Sequence, residues 1–187
     1  MGDIIERIDQ AIAMTAGIVR GIEEHQWGAP TPCGKWDVRA VLNHTVGGMR
    51  IFAAELTGTD AGADHEADWL GNDPQAAFAA AADADREAWH REGALGRTVH
   101  ISLGAVPGPM AAVIHFTEIL VHGVDLAVAT GQEDRMDERL CEELLAMMHG
   151  MGGIDAYRLP GVFGPEIAAP AEAPAHLRLL AYLGRTL

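Results

Sequence analysis

Residues 31–48 read "TPCGKWDVRAVLNHTVGG". A loop of Pro and Gly gives way at Asp37 to apolar residues in helical rhythm, and that rhythm carries an imidazole, His44, close to its apolar stripe. Asp37 stands where an N-cap belongs, its carboxylate able to accept from the free amides of the next turn. Val38, Val41, Leu42, Val46, Met49, Phe52, Ala53 and Leu56 then predict a helix to about Thr57 with one face in a core.

Upstream, Ile4, Ile5, Ile8, Ala11, Ile12, Ile18, Val19 and Ile22 recur every three or four residues, which predicts a first helix over about 3–27. Residues 58–73, "GTDAGADHEADWLGND", lack a helical period and are acidic, so they are expected to form a long surface loop, able to act as a lid. Pro74 suits the first turn of a third, alanine-rich helix that turns Phe78, Ala81, Ala82 and Trp89 inward. In "GRTVHISLGAVPGP", Val99, Ile101 and Leu103 alternate with polar residues as in a short strand. A helix from Pro109 or Met110 to Thr130, stopped by Gly131, another from Met136 to Met151, and a terminal one over Ala175–Leu183 complete the chain. The expectation is an all-α, antiparallel four-helix bundle in one domain spanning 1–187, with a short β excursion before the fourth helix and extra C-terminal helices.

Composition narrows the partners. With 187 residues, 49% hydrophobic and only 5% aromatic, packed helices are favoured over sandwiches or barrels. Thirteen basic against 27 acidic residues give a net charge of −14, which argues against nucleic acid and anionic membranes as partners. The acidic start and the lack of any apolar run approaching bilayer length predict a cytoplasmic protein, and two cysteines outside any CxxC fit a reducing compartment. Cys33 and Cys141 are expected to be packed, although Cys33 near a helix start has the option of a reactive thiol.

The densest chemistry lies in "HFTEILVHGVD", residues 115–125. Glu118 and His122 are four apart and so point the same way one helical turn from each other, while His115 and Asp125 extend the same side as orienting partners. A facing helix supplies His44, with Gly48 leaving room beside it. His44, Glu118 and His122 would form a His₂Glu set with a fourth position open, the pattern of a catalytic zinc site. A Glu and His at this spacing also occur on helices that bind nothing, and spacing alone leaves both readings open. Arg39, Arg50 and Arg158 are the possible cations for an anionic ligand. Trp36 is expected to anchor its loop on the bundle, and Trp69 to pack or to cover a substrate. The remaining histidines, His25, His65, His90, His100, His149 and His176, have no partner at ligand spacing.

In order along the chain, "TPCGKWDVRAVLNHTVGG", "ELTG", "LGNDP", "TEILVHGVDLAVATGQ", "FGPEI" and "RLLAYLGR" resemble the mycothiol-dependent maleylpyruvate isomerase N-terminal domain family, part of the DinB-like superfamily. The resemblance implies a four-helix bundle and a divalent metal, usually zinc, held by His44, Glu118 and His122. It also implies a low-molecular-weight thiol, mycothiol, as cofactor, and isomerisation or S-transfer on a small electrophilic substrate entering beneath the 58–73 loop. The isomerase of that family has a further C-terminal domain that contributes to its active site, and this chain ends near the bundle, so turnover of maleylpyruvate itself is not expected. The alternatives are a non-catalytic metal-binding or ligand-sensing bundle, and a metal-free structural bundle. A homodimer is left open.

Overall fold

A computed structural model describes residues 4–34, 36–62, 66–101, 104–159, 162–170 and 172–186. It is mostly helical, with six α-helices and one two-stranded sheet among those residues. Helices α1 (Ile4–Arg20), α2 (Val38–Thr57), α3 (Pro74–Trp89) and α4 (Gly108–Thr130) enclose the core, and α5 (Glu138–Gly150) and α6 (Ala175–Tyr182) pair with each other beside α4. The hairpin β1 (Thr98–Ile101) and β2 (Gly104–Pro107) lies between α3 and α4. Helix α1 runs along α4 and touches α3, while α2 packs against both α3 and α4.

Local chemistry accounts for the boundaries. Asp37 caps α2 by accepting from the Ala40 amide at 2.8 Å, and Asp73 and Asp137 do the same for α3 and α5. Gly58 and Gly131 end α2 and α4 in the left-handed region, at φ 72° and 67°, where a side chain would be strained. The first helix stops at Arg20, short of the expected 27, and a 3-10 turn at Glu24–Gln26 follows. Gln132 explains the break: its amide donates to the Ile18 carbonyl at 3.1 Å, and it sits so close to Gly21 that a Cβ there would lie 2.0 Å from its side-chain oxygen.

The strand at 98–101 is found, with Val99 fully buried; Ser102 and Leu103 lie outside the described residues. Its partner β2, "GAVP", was not anticipated because it lacks alternation and has no fully buried residue, so its pairing with β1 defines it more than its own pattern does. Contrary to the expectation of no membrane-length apolar run, α4 is long and apolar enough to cross a bilayer, but 78% of its most apolar window is buried inside this protein. Its apolarity serves a helix with neighbours on nearly every side. The loop over 58–73, of which 63–65 are not described, is pinned to the outer flank of α2. Leu70 is buried, Asn43 accepts from the Trp69 amide at 2.8 Å, and the Trp69 indole rests on Gly47.

Candidate metal centre

The loop before α2 folds back on itself. Val38 and Arg39 donate to the carbonyls of Ala29 and Trp27, and Thr31 Oγ1 donates to the Trp36 carbonyl at 2.8 Å while accepting from the Cys33 amide. This knot holds Cys33 and Trp36 at the rim of a cleft of about 1110 Å³ between α2, α4 and the C-terminal segments. Nearly two turns into α2, His44 faces the same cleft, with Gly48 leaving open space beside it.

Glu118 and His122 face it from α4. Glu118 Oε2 lies 3.1 Å from His44 Nε2 and 3.4 Å from His122 Nε2, so two imidazoles converge on one carboxylate oxygen. The ligand atoms of His44, Glu118 and His122 all lie within 4.8 Å of one another. The Trp36 ring stands 4.7 Å from that of His44 and 5.8 Å from that of His122, covering the pair on one side.

His122 is fixed from behind. Asp125 Oδ2 accepts from its Nδ1 at 3.0 Å, which turns Nε2 toward the cleft. Asp125 is fully buried and also takes Arg185 Nε at 3.0 and 3.2 Å, while Arg185 Nη2 reaches Cys33 Sγ at 3.8 Å. Burial alone would lower the His122 pKa, but Asp125, Cys33 and Glu118 together hold its charged form, and the net shift is well upward. Glu118 moves oppositely: burial pushes it up, and the two imidazoles overcome this and set it well below the usual carboxylate range.

His44, Glu118 and His122 are thus brought together, with Asp125 as the orienting partner of His122. His115 is not part of this group; it turns toward Asp85 of α3. Arg39 binds Asp68 and the Gly71 carbonyl, and Arg50 lies over the Trp69 ring, both away from the cleft. Arg158 lines the cleft, but its guanidinium is taken by the Gly164 and Tyr182 carbonyls and by Asp155. Arg185, which sequence reasoning passed over, is the arginine built into the site; its signal was its place in the "RLLAYLGR" segment. No described residue of the 58–73 loop lines the cleft, whose outer wall is formed instead by Leu159, Val162 and Phe163. The described residues of that loop therefore do not cover the site.

Residues 8–127 match the family described as the mycothiol maleylpyruvate isomerase N-terminal domain, and the chain belongs to that family. Two relatives, each named an uncharacterized protein and coming from two strains of Mycobacterium tuberculosis, are 34% identical over 173 residues, 92% of this chain and 92% of each relative. No solved structure matches significantly.

Proposed function

We propose that α1 to α4 form a DinB-like antiparallel four-helix bundle within one domain, and that the protein is an enzyme holding a divalent metal at His44, Glu118 and His122. It would act with a low-molecular-weight thiol on a small electrophilic substrate, by isomerisation or S-transfer. The observation that carries this reading is the convergence of two Nε2 atoms and one carboxylate oxygen on a point at the cleft wall. The separations fit: ligand atoms about 2.0–2.1 Å from a tetrahedral zinc lie roughly 3.3 Å apart, against 3.1 and 3.4 Å here. Bound there, the ion would supply a Lewis-acid centre with an open position, able to keep a mycothiol-type thiol as thiolate at neutral pH.

The chain's own residues set the conditions. Asp125, anchored by Arg185, holds His122 in one tautomer and one orientation. The apolar wall of Met49, Phe52, Ile114 and Ile119 keeps water away from the inner cleft, and its volume admits a thiol and a substrate together. The net charge of −14 supports small-molecule partners over nucleic acid or anionic membranes.

A second reading, a closed and non-catalytic metal site, draws support from Cys33, whose Sγ lies within 4.8 Å of ligand atoms of both His122 and Asp125. Added thiol would alter the cobalt spectrum of an open site and leave a closed one unchanged. The primary test is elemental analysis of the protein purified without added metal, beside His44→Ala and His122→Ala. About one equivalent in the wild type, lost in both variants with helicity retained, supports the reading. Absence of metal in the wild type, with none taken up on reconstitution, would refute it.

A further inference from the structure

Three residues of α2, His44, Gly48 and Phe52, follow one another at intervals of four and all line the cleft. Residues so spaced stack along one side of a helix, so Gly48 is a gap between a candidate metal ligand and an aromatic ring. A Cβ at Gly48 would meet nothing within 4 Å, so the gap is open space that no neighbour has moved in to fill. Two other helical glycines differ. Gly47, on the outer flank of α2, lies under the Trp69 indole, and Gly123 of α4 takes Thr15. Close packing explains both, whereas Gly48 carries the instability of a glycine inside a helix with no contact to account for it.

The space belongs to an apolar cleft, which Met49, Ile101, Ile114 and Ile119 line as well. At its rim Trp36, Leu159 and Val162 are 37%, 53% and 40% exposed, an apolar grouping of the kind that marks a ligand-binding groove. Charge points the same way. Arg185 is matched by Asp125, and Arg158 by Asp155 and the carbonyls of Gly164 and Tyr182. His115 faces Asp85. Away from the metal ligands, the described residues of the cleft therefore offer no unmatched arginine to an anion, and the net charge of −14 opposes one.

We infer that the space over Gly48 is a specificity pocket for an uncharged, apolar group of the substrate, the group next to the reacting atoms when these lie at His44, Glu118 and His122. This rests on the reading of the cleft as the substrate site, and it narrows the substrate to apolar electrophiles. Glycine at position 48 sets the size of that group, because a side chain there would occupy the space it needs.

The test uses two fluorescent probes with one body: N-phenyl-1-naphthylamine is neutral, and 8-anilino-1-naphthalenesulfonate adds a sulfonate. Both are titrated into the wild type and Gly48→Leu, with metal content and circular dichroism measured on the same samples. The leucine takes the place of about two methylene-sized contacts, so Gly48→Leu is expected to bind the neutral probe roughly tenfold more weakly, with metal content and helicity unchanged. The wild type is expected to prefer the neutral probe by about tenfold or more, since the sulfonate would be buried without a free partner. Equal binding of the neutral probe by the wild type and a folded Gly48→Leu, a wild type that holds the sulfonate as tightly, or no binding of the neutral probe would each overturn the inference. Should Gly48→Leu fail to fold or to keep its metal, NMR of wild type labelled with carbon-13 glycine decides. The neutral probe must shift the Gly48 signal, and an unmoved signal overturns the inference. Metal in the wild type without these probe effects defeats this inference alone, and the probe effects without metal defeat the metal reading alone.

Discussion

Asp125→Ala tests how far the site depends on what lies behind it. Asp125 is fully buried and serves two groups, His122 Nδ1 at 3.0 Å and the Arg185 guanidinium at 3.0 and 3.2 Å. Truncation leaves a cation whose side chain is 9% exposed without its counter-charge, a loss of about 3–5 kcal/mol for a buried pair, and strips the imidazole of a hydrogen bond worth roughly 0.5–1.5 kcal/mol. Arg185 follows α6 on a short segment and recovers some hydration by moving outward, so the lower part of the range, about 3–4 kcal/mol, is expected. For a chain of this length that corresponds to a melting temperature about 6–16 °C lower. Loss of the partner that orients a ligating histidine weakens metal affinity by about 10–100-fold. Thermal unfolding followed by circular dichroism and chelator competition read the two effects. Asp125→Leu/Arg185→Met separates them: replacing both charges restores most of the stability but not the affinity. A single variant that melts within about 1 kcal/mol of wild type, or a double variant that regains full affinity, would refute the reasoning.

Other outcomes follow from the same structure. Gly123→Ala places a Cβ 2.4 Å from Thr15 Oγ1 and 3.0 Å from Met14 Cε, where α1 and α4 meet. Overpacking of about 1–3 kcal/mol, less about 1 kcal/mol of helix propensity, predicts a net loss on the order of 1 kcal/mol in urea unfolding. Gly48→Ala meets nothing within 4 Å and is expected to gain up to about 1 kcal/mol in the same assay. A thiol reagent applied to the native protein should label Cys33 and spare Cys141, which is fully buried and whose thiol is pushed up to about 12 by burial and then by Glu138, Asp137 and Glu142; two labelled sites would contradict this. In metal-free protein the raised His122 pKa stabilises the fold fully below its unfolded value of about 6.5, and that contribution is lost as pH rises through the folded value. Melting temperature should therefore fall from pH 6.5 upward, while metal affinity climbs over the same window as the competing proton leaves. A His122→Ala protein with the same pH profile would sink the assignment.

The fold was legible where a stripe, a cap and a breaker coincided. Asp37 and Gly58 bracket α2, and Asp73 with Pro74 opens α3, because each places its signal within a few residues of the helix end. The end of α1 was not legible. Its apolar period continues to Ile22, and the stop at Arg20 is imposed by Gln132, more than a hundred residues later. The β2 strand was invisible for a similar reason: its residues become a strand by pairing with β1 and show little burial of their own.

The candidate site divides along the same line. His44, Glu118 and His122 were readable because a helix converts spacing into direction, placing residues four apart on one side, and the facing helix offered one imidazole near its core stripe. What makes the group more than three polar residues in a wall comes from elsewhere in the chain. Arg185 lies 60 residues from Asp125, and Asp85 lies 30 from His115; no local pattern links either pair. Both buried aspartates act on histidines of α4, yet in opposite senses. Asp125 takes His122 Nδ1 and leaves Nε2 facing Glu118, whereas Asp85 takes His115 Nε2 and leaves Nδ1 without a hydrogen-bond partner among the described residues. The two imidazoles stand two helical turns apart on one wall, each held at one nitrogen by a carboxylate. The first has its other nitrogen at Glu118 on the cleft wall, whereas the second keeps its own buried.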